Sequence, residues 1–352
     1  MAILPACRLG AAAIVLAAAT MALATPARAC ACGALMPPPD AQASINHEVA
    51  LLRWDAATET ETIVMQLALD TTTDNVALVV PTPTPATVAA GEKATFEELN
   101  TLTAPQHQRH WTVGLALFGG AVEEAAPTGS PEVISQVHLG PLEATTLAGG
   151  DLAGLRKWLA DNNYTIQPAV SDALGPYVSE RWSFVAMRLT STAPIAGGLD
   201  PVRLTFRSSH MVYPMRLSVA AAHMQQVTLF ALADHRQQRV DADASAQVTQ
   251  LEYADRISGA VQDPPLRELV GDHGGYLTRM SVDIYRPSQI TSDFAFGNAP
   301  NDDPYRLVIN DDILIPIDLI LLAAVLLAAI VAAVAIPVAR RRARKRTARP
   351  AQ

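Results

Sequence analysis

Apolar residues in this chain form two long unbroken runs at its ends and short alternating groups between them. The first run covers residues 9–24. The second covers residues 319–339, which is 21 residues without a charge. Inside these limits, residues 49–54 and 62–69 read as paired strands, with the polar stretch 55–61 as their hairpin loop. Residues 76–80 are apolar throughout and predict a third, more buried strand. The alternating prolines of residues 81–85 predict a surface polyproline segment. Thr95 is expected to cap a short helix ending at Leu102, with Glu97 and Glu98 at its positive end.

The pattern thins at residues 119–131, which are rich in Gly, Ala and Pro and form the expected internal linker. Strands are predicted around 133–139 and 143–147. Gly149, Gly150 and Asp151 then open a helix with Leu152, Leu155, Trp158 and Leu159 on one face, closed by Asn162 and Asn163. Trp158 is expected in the core. A short helix near 170–177 precedes strands at 182–189, 202–206, 215–221 and 227–232. The Ala- and Gln-rich stretch 234–256 is expected to be helical, as are residues 266–277. Residues 33–44 read as extended, and 286–312 as a polar, proline-punctuated lead to the final apolar run. Many strands joined by short turns, with a few inserted helices, predict an α+β chain. It would be mostly antiparallel β with a sandwich-like core, plus one C-terminal transmembrane helix.

The ends set the expected topology. Arg8, the apolar run and the small residues Ala27 and Ala29 make a secretory signal peptide, cleaved after Ala29 to leave Cys30 first. At about 1.5 Å per residue, a helix over 319–339 spans the roughly 30 Å hydrocarbon core. Arg340, Arg341, Arg342, Arg344, Lys345, Arg346 and Arg349 follow it and orient that end to the cytoplasm, where they also meet anionic headgroups. The expected organisation is a signal at 1–29, an extracytoplasmic domain at 30–312 with a sub-boundary near 119–131, a span at 313–339 and a basic tail at 340–352. Asp318 would mark the outer edge of the span.

Charge narrows the partners. The chain has 26 basic and 34 acidic residues. Nine of the basic residues belong to the signal and the tail and one acid is Asp318, so the expected outer domain carries 17 basic and 33 acidic residues, a net charge near −16. That balance argues against nucleic acid and anionic polymers as bulk electrostatic partners. Besides Cys7 in the signal there are only Cys30 and Cys32, so a hydrophobic core, not a disulfide framework, must hold the domain.

Three groups of residues carry a resemblance. They are the start Cys30-Ala31-Cys32-Gly33; the strand Thr62-Ile63-Val64-Met65 running on to Val79-Val80-Pro81-Thr82-Pro83; and the unit Gly150-Asp151-Leu152 with Trp158-Leu159-Ala160-Asp161-Asn162-Asn163-Tyr164, then Tyr177 and Trp182-Ser183-Phe184-Val185-Ala186. With these the chain resembles, over most of residues 30–310, an uncharacterised bacterial family catalogued as domain of unknown function 2330. The resemblance implies a secreted or membrane-anchored bacterial protein. It brings no activity and no catalytic residues.

Candidate chemistry is sparse. Cys30 and Cys32 would form a small, strained and easily reduced ring in an oxidising compartment, suited to redox or tethering chemistry. A local staple, pairing with another chain and lipidation of Cys30 are the alternatives. His107 and His110 stand three apart, so on a helix they would share a face and could bind a metal, but no Glu accompanies them as in a zinc protease motif, and exposed histidines beside Trp111 are the other reading. Asp241, Asp243, Ser245, Thr249 and Glu252 fall at positions 1, 3, 5, 9 and 12 of a calcium-loop pattern and Val248 at position 8, but Ala246 stands where the loop needs Gly. No nucleophile elbow, phosphate loop or dinucleotide fingerprint occurs. The expectation is therefore a non-enzymatic, membrane-anchored cell-surface protein without a cofactor. Its partners would be the membrane lipids and an extracytoplasmic ligand or protein, not nucleic acid. The alternative is an envelope hydrolase or a thiol-redox protein using Cys30 and Cys32.

Overall fold

The computed structural model describes residues 33–114, 136–137, 143–192, 194–258 and 261–347. The chain divides into two compact units, one of Met1–Ala104 with Val133–Leu307 and one of Pro105–Glu132 with Val308–Gln352. The expected boundary near 119–131 lies outside the described residues.

The first unit is mixed α+β and mostly antiparallel. One sheet has the order β1 (Ala34–Met36), β4 (Asn75–Thr82), β9 (Ser183–Thr190), β8 (Glu143–Leu147), each pair antiparallel. The larger sheet runs β18 (Tyr305–Arg306), β15 (Val248–Ile257), β16 (Gly275–Ile284), β13 (Gln225–Ala233), β2 (Ala43–Asp55), β3 (Thr60–Thr71), β10 (Ala196–Leu199), β7 (Gln136–Val137). β11 (Val202–Arg207) also pairs with β3, and β5 (Thr87–Ala90) with β11. Within it β13 and β2 are parallel, as are β10 and β7. A small third sheet joins β12 (Val212–Tyr213), β17 (Phe294–Asn298) and β14 (Gln237–Arg239).

Period-two patterning assigns each face of a strand to a different core. Ala50 and Leu52 of β2, Leu229 and Ala231 of β13, and Val76, Leu78 and Val80 of β4 are buried in one shared cluster, so the two main sheets meet face to face there. On the far side of the four-stranded sheet, Ala77 and Val79 pack against Leu155 and Leu159 of α2 (Leu152–Asp161), Val170 of α3 (Pro168–Ala173) and Tyr177 of α4 (Gly175–Ser179). On the far side of the large sheet, Leu51, Phe230 and Leu232 pack under Phe96 and Leu99 of α1 (Lys93–Leu102) and Leu266 of α5 (Pro264–Val270). β4 is apolar at nearly every position because both its faces are covered.

Several expected elements differ. Residues 234–256 are strands and a turn, because pairing of β15 along β16 overrides the local helix preference of Ala and Gln. The helix expected over 266–277 stops at Val270. Gly271 (φ 70°) ends it, Gly274 (φ 73°) turns the chain and β16 follows. A Cβ on Gly274 would stand 2.8 Å from the Ile257 carbonyl oxygen, so only glycine fits there. Residues 216–220 form a 3-10 turn in place of a strand. Pro81 and Thr82 complete β4 and are buried rather than exposed. Thr95 does not cap α1, which starts at Lys93; its hydroxyl donates to Asp263 Oδ2 at 2.7 Å, and Asp263 itself caps α5 by accepting from the Leu266 amide at 2.9 Å. Trp158 is only half-buried, stacked on Tyr164 at 6.0 Å between ring centres, while Leu155 and Leu159 fill the core.

The second unit contains a parallel pair of strands, β6 (Gln106–Gly114) and β19 (Val308–Pro316), followed directly by the 31-residue helix α6 (Ile317–Thr347). No strand is expected over residues 106–114, while 308–312 are expected as a polar lead and 313–316 as the start of the span; all are strands through the mutual pairing of β6 and β19, and the helix begins only at Ile317. Pro337 lies inside α6, and Asp318, in its first turn, accepts from the Leu319 amide.

Candidate functional site

The richest polar constellation in the first unit surrounds the turn at residues 241–247, between β14 and β15. Arg239 enters the turn from β14 and grips Asp241 with two hydrogen bonds, Nη2 to Oδ1 at 2.7 Å and Nε to Oδ2 at 2.9 Å. Both side chains are out of water, at 3% and 1% exposure. The guanidinium lies 3.8 Å from the centre of the Phe294 ring, so one face of the cation sits on an aromatic quadrupole. Asp243 accepts from the Thr291 hydroxyl (2.7 Å), the Thr291 amide (2.8 Å) and the Ser292 amide (3.0 Å). Burial alone would raise its pKa, but these donors outweigh burial and hold the carboxyl below its ordinary range.

Two open cavities border the turn. One, of about 400 Å³, has Arg236, Gln238, Arg239, Thr249 and Asn301 in its wall. The other, of about 370 Å³, has Asp243, Gln247, Tyr285, Arg286 and Gln289. Gln247 Oε1 is buried there without a hydrogen-bond partner. A third cavity, of about 320 Å³, lies elsewhere, against Pro37, Pro38, Pro39 and Gln167.

The structure therefore keeps Asp241 and Asp243 together but separates them from Glu252, which pairs with Arg279 at 2.6 Å. Among the described residues no group of three or more His, Cys, Asp or Glu is placed to hold a metal ion. The network also uses Thr291 and Ser292, roughly fifty residues downstream, for which the sequence offers no signal. Cys30 and Cys32 lie outside the described residues. Of the basic tail, residues 340–347 continue α6. His107 and His110 lie on a strand, not a helix. Each meets its own carboxylate, Asp311 at 3.2 Å and Asp312 at 3.0 Å.

Other buried polar groups hold the framework together. Arg279 of β16 lies 5.3 Å from the centre of the Phe230 ring and donates to the Thr103 hydroxyl at 2.9 Å. Burial first, and then the Arg279 charge, depresses the pKa of His47 and keeps it neutral. Glu61 on β3 is fully buried and receives the Val212 amide on both oxygens at 3.1 Å. Burial pushes its pKa well up, and the single amide only partly opposes that.

Glu61 makes a pH prediction. A carboxyl whose folded pKa lies above its unfolded one binds more protons folded than unfolded. Its contribution to stability therefore falls as pH rises from the ordinary glutamate range through the raised value. Glu61→Gln keeps an acceptor for Val212 and mimics the protonated acid. Urea titrations across pH should show the wild type matching the Gln variant in acid and dropping below it toward alkaline pH. Parallel curves for the two proteins would show that Glu61 is solvated.

The model of the family described as "Uncharacterized protein conserved in bacteria (DUF2330)" matches residues 26–297, well over half of the chain. The chain belongs to this family. That match covers both cavities beside the 241–247 turn apart from residues 299–303 and stops before β19 and α6. No curated protein matches this DUF2330 member. Among solved structures, the crystal structure of baculovirus P35 aligns with 76% of this chain and 98% of its own at 7% identity, with a TM-score of 0.35.

Proposed function

We propose that this DUF2330 chain is a bacterial cell-surface protein, held in the cytoplasmic membrane by α6, whose outer β-rich unit binds or organises a partner instead of turning over a substrate. The observation that carries the anchor is α6 itself. The most apolar 18-residue window of Ile317–Arg340 has a mean hydropathy of 3.2, and none of it is buried against protein. A helix that is apolar on all sides and unburied along its most apolar window is matched by lipid as its solvent. The arginines after residue 339 support an orientation with its C-terminal end in the cytoplasm. A binding role is supported by how the unit uses its buried acids. Asp241, Asp243 and Glu61 are each occupied by arginine, hydroxyl or main-chain donors that fix loops in place. The net negative charge favours cationic or neutral partners.

Topology is checked on spheroplasts. Added protease should degrade residues 30–312 and leave a tag at Gln352 intact, and the mature chain should begin at Cys30. Cleavage of the tag in unbroken cells would refute the orientation, and a chain that keeps Met1 would refute export by a cleaved signal.

A further inference from the structure

The β6–β19 pair carries an inference beyond anchoring, though it rests on the reading of α6 as the span. The parallel register sets His107 beside Ile309, Arg109 beside Asp311 and Trp111 beside Ile313. Alternation puts these six, with Ile315, on one face of the ribbon, and Gln108, His110, Thr112, Asn310 and Asp312 on the other. The first face thus holds three isoleucines and a tryptophan together with His107, Arg109 and Asp311. The second carries Val308, 41% exposed, at its far end and is polar at the other positions named. Trp111 stands 62% exposed. A two-stranded ribbon is marginal by itself in water and needs its apolar face covered.

We propose that this ribbon lies flat in the outer headgroup layer of the membrane, with Ile309, Trp111, Ile313 and Ile315 turned toward the acyl chains and Arg109 reaching lipid phosphate. Continuity selects lipid as the occupant. β19 ends at Pro316 and α6 begins at Ile317, so no linker separates the ribbon from the bilayer. Orientation follows from length. Ile313, the partner of Trp111, stands four residue steps before Ile317, so an upright ribbon would lift Trp111 about 13 Å above the span. That exceeds the headgroup layer, which is on the order of 5–8 Å on each side. A flat ribbon keeps Trp111 within it, where tryptophan is enriched. Depth is bounded on the other side too. Open strand edges are not tolerated in hydrocarbon but can be satisfied by water among headgroups. Asp311 lies between Ile309 and Ile313 on this same face and pairs with His107 at 59% and 47% side-chain exposure, so together with Arg109 these charged groups hold the ribbon at headgroup depth.

The test uses the full chain in phosphatidylcholine–phosphatidylglycerol vesicles, with and without brominated acyl chains that quench nearby tryptophan. Comparing wild type with Trp111→Phe isolates Trp111 from Trp54, Trp158 and Trp182 whatever those do. Trp111→Phe should remove most of the lipid-quenchable emission along with a blue-shifted component. Adding Gln108→Trp to that variant places an indole on the polar face, and its emission should resist quenching. Equal quenched fractions in wild type and Trp111→Phe would overturn the proposal, as would a Gln108→Trp indole quenched as strongly as Trp111. A photocrosslinker at position 111 that joins two copies of the chain in place of lipid would also overturn it, by assigning the face to a second copy. Loss of the chain from the vesicles on alkaline washing would instead sink the reading of α6 as an anchor, which distinguishes the two failures.

Discussion

Asp241→Ala should destabilise the protein by about 3–5 kcal/mol, the cost of stranding a buried charge whose partner has been removed. Arg239 and Asp241 have side-chain exposures of 3% and 1%. Without the carboxylate, the guanidinium keeps the Phe294 ring at 3.8 Å and one hydroxyl, Thr249 Oγ1 at 3.2 Å, neither of which replaces a bidentate anion. Urea unfolding of the full chain in detergent, followed by near-ultraviolet circular dichroism, gives the difference. The double variant Arg239→Met with Asp241→Leu removes both charges and should recover most of the loss, because two well-packed apolar chains avoid the desolvation of the pair. A loss below about 1 kcal/mol for Asp241→Ala would place the pair at the solvated surface, where ion pairs contribute little.

Asp293→Ala should cost a similar amount, about 3–5 kcal/mol, for a different reason: one carboxylate serves four donors. Its Oδ1 accepts from the Tyr177 hydroxyl at 2.5 Å and from the Met215 and Arg216 amides at 2.7 and 3.0 Å, and its Oδ2 accepts from Arg216 Nε at 2.8 Å. Arg216 also grips Glu180 through both terminal nitrogens and stands 4.3 Å from the centre of the Tyr177 ring. The residue thus clamps the 3-10 turn at 216–220 and α4 to the segment before β17. Burial first, and the Asp293 charge second, push the Tyr177 hydroxyl well above its ordinary range, so it remains a donor. Tyr177→Phe removes only one of the four bonds and should cost about 1 kcal/mol. The ratio of the two losses in thermal or urea unfolding is the check. Equal losses would mean that the tyrosine bond alone holds the clamp.

Two cavities share residues with the 241–247 turn or with the strands that flank it. Arg239 and Thr249 line one and Asp243 lines the other. Variants that loosen the turn would be expected to reshape both, so ligand screens on the first unit need these two stability measurements as controls.

The sequence by itself determined the long-period features of this protein. A run of 21 uncharged residues is long enough to cross a bilayer whatever else the chain does. Period-two alternation marked the hairpin of β2 and β3, and the unbroken apolar run marked β4, because each of these patterns reports local burial directly. The α2 helix was legible from Leu152, Leu155 and Leu159 for the same reason. The tertiary structure alone decided the rest. β15 has helix-favouring Ala and Gln before and within it and is a strand only because β16 pairs along it. Trp158 looked like core from spacing, yet stacking on Tyr164 leaves it half-buried. Asp241 and Asp243 matched a calcium pattern along the chain, but their partners are Arg239, Thr291 and Ser292. β6 and β19 are far apart in sequence and are strands through each other. In each case the deciding contact joins residues from distant parts of the chain, and a local pattern carries no record of which distant group will supply the hydrogen bond or the charge.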